Sequence, residues 1–179
     1  MASNANFISQ FVMGGDPCTY KESGELQAEM SKLTHPARPD VDWRQVEKLC
    51  LALFRQNGVE LQTLVCYVLA ITRRQGLAGM ADGLGSLDIL LQRWADFWPV
   101  QVHSRISLLG WVTEKMQQAL RTLDIQYQDL PQIYRCVQHL SAIETTLQQC
   151  ELWHMTKLDL LAGQFRNTAL RLERLAPQG

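Results

Sequence analysis

The chain has 179 residues, a formal net charge of −1 and an apolar fraction of 46%. That length suits one domain, or one domain with an appendage, burying roughly 70% of its unfolded surface without staples. A near-neutral chain with no basic block lacks an electrostatic footprint for nucleic acid or an anionic membrane surface, and the apolar fraction excludes disorder.

Cysteine usage points to a reducing compartment. There are five, an odd number, and Cys50 and Cys66 sit inside apolar helical runs where a free thiol behaves as a small hydrophobe. The start of the chain lacks a basic end and an apolar core, so no secretory signal is read there. The longest nearly uncharged apolar run, Leu61 to Thr72, is about 12 residues, against about 20 for a membrane span. The expectation is a soluble, cytoplasmic chain.

Residues 1–21 read as an irregular arm, because Gly14-Gly15-Asp16-Pro17 forms turns and cannot continue a helix. Leu26, Met30 and Leu33 then make one stripe of a short helix over 22–33. His35-Pro36-Ala37-Arg38-Pro39 ends it by forcing an extended path. Asp42 with Gln45 has the spacing of a capping box, and the apolar positions from Trp43 to Phe54 recur with a helical period. Asn57-Gly58 closes that helix, with Gly58 suited to a left-handed C′ position. A third helix is predicted from Glu60 to Gln75, closed by Gly76.

A fourth helix is predicted from Leu77 to Trp98, before Pro99, carrying Gly79, Gly83 and Gly85. Each glycine costs up to about 1 kcal/mol against alanine, which close helix–helix approach would explain. A phosphate-cradling loop would need a preceding strand and a Walker or dinucleotide spacing, and neither is present. Trp94, Phe97 and Trp98, with Trp111, suit a core plug where the fourth helix meets the fifth, or alternatively a protein-binding groove. The fifth helix runs over 104–123.

From Leu130 the heptad positions Leu130, Val137, Leu158, Phe165 and Leu172, with Ile133, Leu140, Leu147, Leu161 and Leu175, are apolar. The breaks cluster at Glu144, Glu151 and His154. The pattern fits one long helix or a hairpin bent near Gln148–Glu151, and two helices are preferred. No segment sustains period-2 alternation. The chain is therefore expected to be all-α, a bundle of about five to seven helices. Its divisions are an arm over 1–21, a helical domain over 22–125 and a helical extension over 126–179.

Catalytic constellations are weak. No Gly-x-Ser-x-Gly frame surrounds a serine, and His35, His103, His139 and His154 have no recognisable base-and-orienter partners. Cys18 follows a turn but would need a histidine that sequence cannot place. The metal candidate is Cys136-x2-His139 with Cys150-x3-His154, four ligands able to make a tetrahedral zinc site only if a tight hairpin joins the pairs. A coiled-coil oligomerisation module over 130–175 is a further alternative. No cofactor and no catalytic residue is assigned.

The order of features carries more than any one of them. Gly14-Gly15-Asp16-Pro17 precedes a helix ending Met30-Ser31-Lys32-Leu33, and Pro39-Asp40-Val41-Asp42-Trp43 opens the next. Glu60-Leu61-Gln62 follows, then Gly76 to Leu84, Leu90-Leu91, Trp94, Phe97-Trp98-Pro99, Arg105 and Leu109-Gly110-Trp111. This resembles the ImpA-related N-terminal domain of type VI secretion proteins, which are TssA-, TagA- and VasL-like, over about residues 12–115. The tail leans toward a VasL- or TagA-like accessory protein. The pair before the proline turn is Phe97-Trp98 where the family tends to have tyrosine–tryptophan.

The resemblance implies a non-enzymatic docking module that assembles or anchors the contractile sheath and tube, at the baseplate and membrane complex or at the distal end. Partners would be sheath, baseplate or membrane-complex proteins. Homo-oligomers would form mainly through regions beyond this chain, which looks like the soluble N-terminal part of a longer protein. Docking residues are expected on loops of the rigid scaffold: Asp16, Pro17, Tyr20, Pro39, Asp40, Trp98 and Arg105.

Overall fold

The computed structural model describes residues 5–37, 39–93 and 99–176. Eight α-helices occur among them: α1 (Ala5–Ile8), α2 (Lys21–Met30), α3 (Trp43–Asn57), α4 (Leu61–Gln75), α5 (Leu77–Leu91), α6 (Val102–Thr122), α7 (Leu130–Gln149) and α8 (Leu158–Glu173). The fold is all-α, as the periodicity predicts. Among the described residues, β pairing is confined to one isolated parallel bridge, Met13 to Val59.

Helices α4 and α5 form the centre. From Leu61 to Thr72 every α4 side chain except Gln62 is buried, and α5 is buried on nearly every face. A helix apolar all round must be covered all round. Here α3 and α6 cover α4, while α1 and α7 cover α5. Helix α2 packs on α3, and α8 closes the far side against α6 and α7. One hydrophobic cluster runs from Ile8 to Leu172, with Phe54 and Phe165 among its largest fully buried side chains.

The α4–α5 turn is a single residue, Gly76, at φ 62°. A Cβ at Gly79 would overlap the Ile71 carbonyl, so glycine there lets the two helices come together. This is the close approach that the glycines predict.

Several local expectations change. The arm is not wholly irregular, since α1 supplies one helical turn and Met13 pairs with Val59. Only half of the capping box forms: Asp42 Oδ1 accepts from Gln45 N at 3.2 Å, but the Asp42 N–H donates to Glu29 Oε2 at 3.0 Å. Gly58 has positive φ, 93°, yet its ψ of −178° is extended, because Val59 must run on into the bridge with the arm. Helix α5 ends at Leu91, short of the predicted Trp98, and 94–98 lie outside the described residues.

The tail is a hairpin of two helices. A 3-10 turn over Trp153–Thr156 separates α7 from α8, flanked by Glu151 (φ 60°) and Lys157 (φ 64°). The Thr156 hydroxyl donates to Trp153 O at 2.8 Å and accepts from Leu158 N at 3.3 Å, starting α8. The heptad register also shifts. On α7 the buried positions are Ile133, Cys136, Leu140, Ile143 and Leu147. Cys136 and Ile143 thus replace Val137 and Glu144 in the seam, which keeps Glu144 free to pair with Arg166 of α8 at 3.3 Å.

Candidate docking surfaces

The sequence-predicted docking residues fall in separate places. The arm is seated on the C-terminal end of α3. Gly14 N donates to Val59 O at 2.7 Å, Val59 N to Val12 O at 2.8 Å, and Asn57 Nδ2 to Gly15 O at 2.8 Å. Asp16 is exposed, and its Oδ1 accepts from Cys18 N at 3.0 Å, closing an Asx turn. Pro17 is buried beneath that turn, and the Tyr20 hydroxyl donates to Gln56 O at 3.3 Å.

Pro39 and Asp40 are exposed before α3, at its other end. The helix has 15 residues, so the two loops stand about 22 Å apart along its axis. Glu29 braces the second loop by pairing with Lys32 at 2.7 Å while accepting from Asp42 N. Lys32 chiefly holds the Glu29 carboxyl below its ordinary range. Arg105 is buried at 5% exposure, and its Nε donates to the Pro99 carbonyl at 2.5 Å. It holds the entry to α6 and does not present its charge to solvent. Trp98, Trp94 and Phe97 lie outside the described residues.

One surface was not legible in sequence. An apolar groove of about 300 Å³ runs between α2, α4 and α6, lined by Met30, Val65, Cys66, Leu108 and Trp111 with Gln27, Gln62 and Ser107. It shares Gln62, Ser107 and Leu108 with a neighbouring one reaching Pro99 and His103. Trp111 was the single signal, and its groove partners come from three helices far apart in sequence.

The zinc constellation does not assemble. Helix α7 continues unbroken to Gln149, so His139 and Cys150 stay about 16 Å apart along it and the bend comes too late to join the pairs. Cys136 faces the core, His139 Nδ1 faces Asp88 Oδ2 of α5 at 3.8 Å, and His154 Nδ1 contacts Asp159 Oδ2 at 3.1 Å. Burial pushes the Cys136 thiol up to about 12. Among the described residues no group of three or more His, Cys, Asp or Glu could hold a metal ion. The coiled-coil seam is likewise used within the chain, covered by α5, α6 and the hairpin's own partner helix.

Cys18 is exposed, but the hydrogen bond and charge of Asp16 push its thiol up, the reverse of activation. Among the described residues no helix is long and apolar enough to cross a membrane.

Comparison with known proteins places most of the chain in one family. The family described as "ImpA, N-terminal, type VI secretion system" matches residues 8–114, from the last residue of α1 into α6. Curated proteins and solved structures return no match. The match spans more than half of the chain, and the protein belongs to the ImpA N-terminal family of the type VI secretion system.

Proposed function

We propose that the chain is a non-enzymatic docking module that assembles or anchors the contractile sheath and tube of a type VI secretion apparatus. The observation that carries this reading is the family match over residues 8–114. The helical body supports it, because loops on a stiff bundle are well placed to recognise other proteins. Asp16 and Tyr20 at one end of α3, and Pro39 and Asp40 at the other, are the docking contacts in this reading, with Pro17 and Arg105 holding their loops. Trp98 belongs to the same proposal. The partners are sheath, baseplate or membrane-complex proteins in the cytoplasm, and the chain acts as a VasL- or TagA-like accessory component.

The test is capture of partners, with this chain as bait, from cells holding an assembled apparatus. Recovery of sheath, baseplate or membrane-complex proteins is expected, and Asp40→Ala, at an exposed loop position, should reduce it while leaving the melting temperature nearly unchanged. A folded bait that recovers none of them from such cells overturns the assignment.

A further inference from the structure

The geometry points to a carboxylate-binding pocket, built by α6 and α8, that takes an acidic peptide segment of a partner protein. A cavity of about 320 Å³ opens where the end of α6 and the segment after it meet the outer half of α8. Leu120, Leu123 and Ile125 form its apolar side, while Arg121, Gln164, Asn167, Thr168 and Arg171 form its polar side. Among the described residues no acidic side chain lines it.

Both arginines are exposed, and among the described residues neither has an ion-pair partner. Other arginines of the molecule do: Arg74 pairs with Glu47, Arg135 with Asp82 and Arg166 with Glu144. The Gln164 Oε1 is sealed from water without a hydrogen-bond partner, and the residue lines the cavity. Two guanidinium groups bordering one opening are an acceptor-seeking set, and a carboxylate satisfies a guanidinium fork with two parallel bonds.

A plainer account explains the arginines one at a time. Each lies in the last turn of its helix, where a cation complements the C-terminal end of the dipole. That account gives no reason for both to border one leucine-lined cavity. The surroundings favour a peptide over a free anion. Leu170 and Leu175 are 55% and 63% exposed on the same end of α8, beside Arg171 and Arg174. Arginine mixed with exposed apolar side chains is the make-up of a protein-binding surface. A nucleic acid would need a basic stripe, which a chain of net charge −1 lacks.

The lining residues all lie beyond residue 114, so the pocket stands independently of the family match. The test titrates the full chain into a fluorescent peptide of alternating glutamate and leucine, and into its glutamine counterpart, and reads anisotropy. The acidic peptide should bind, with affinity falling as salt rises. Arg121→Gln and Arg171→Gln should each weaken it about tenfold, as expected for loss of one charge-assisted bond. Their melting temperatures should match the parent, since both side chains are exposed. Equal binding of the glutamine peptide, or undiminished binding by the double variant, overturns the proposal. So does binding of inorganic phosphate or acetate as tight as that of the peptide, which would make this a free-anion site.

Discussion

Glu60 is a carboxyl held inside the core at the start of α4. It has no exposed surface, yet its Oε1 accepts from Thr63 N at 2.8 Å and its Oε2 from Gln62 N at 2.6 Å, capping α4. Those two N–H groups favour the ionised form, but burial outweighs them and pushes the carboxyl up to about 7, with the Asp16 charge adding a little. A carboxyl raised on folding holds more protons in the native state than in the unfolded chain. Its contribution to stability is therefore complete below the ordinary glutamate range and is lost as pH rises through about 7. Urea unfolding between about pH 5 and pH 8 should show stability falling by about 2–3 kcal/mol from this group. Glu60→Gln should flatten that slope, although it weakens the cap. Identical pH profiles for the two proteins would show that Glu60 ionises normally.

At the level of whole helices, the α4–α5 contact decides the packing. A Cβ at Gly83 would come within 2.8 Å of Val68 Cγ1, and at Gly79 it would meet backbone that cannot move aside. Gly79→Ala should therefore destabilise the protein by about 1–3 kcal/mol, as overpacking does. Gly24, in α2, has open space around its Cβ direction. Gly24→Ala should stabilise by about 0.5–1 kcal/mol through the unfolded chain's lost freedom. Thermal melts that moved both variants in the same direction would contradict this account of the α4–α5 crossing.

For the molecule as a whole, the hairpin α7–α8 completes the core. It supplies Ile133, Leu140, Ile143, Leu147, Phe165 and Leu172 to the same cluster as α4 and α5. Arg135 Nη2 of α7 also meets Asp82 Oδ1 of α5 at 2.7 Å, at a largely buried carboxylate. A chain ended at residue 125 would expose the apolar faces that these side chains cover. It should bind a hydrophobic dye and unfold over a broad temperature range, whereas the full chain melts sharply. A sharp melt and no dye binding would mean that residues up to 125 form a core of their own.

Much of this protein was legible in its residues because helix signals are local. The stripe from Trp43 to Phe54, the Asp42 cap, the stop at Gly76 and the two-helix tail all rest on neighbours within a few positions, and the family likeness rests on the order of such signals. Other features depend on residues far apart in the chain. Arg105 is expected from sequence on a docking loop, and only the structure gives its Nε to the Pro99 carbonyl; Cys136 is a candidate ligand, and the α7 register turns it into the core. The Met30–Trp111 groove and the Arg121–Arg171 pocket exist only because separate helices meet. Periodicity tells each helix which face to bury, but burial against a particular neighbour is set by the packing of all of them together, and that only the tertiary structure decided.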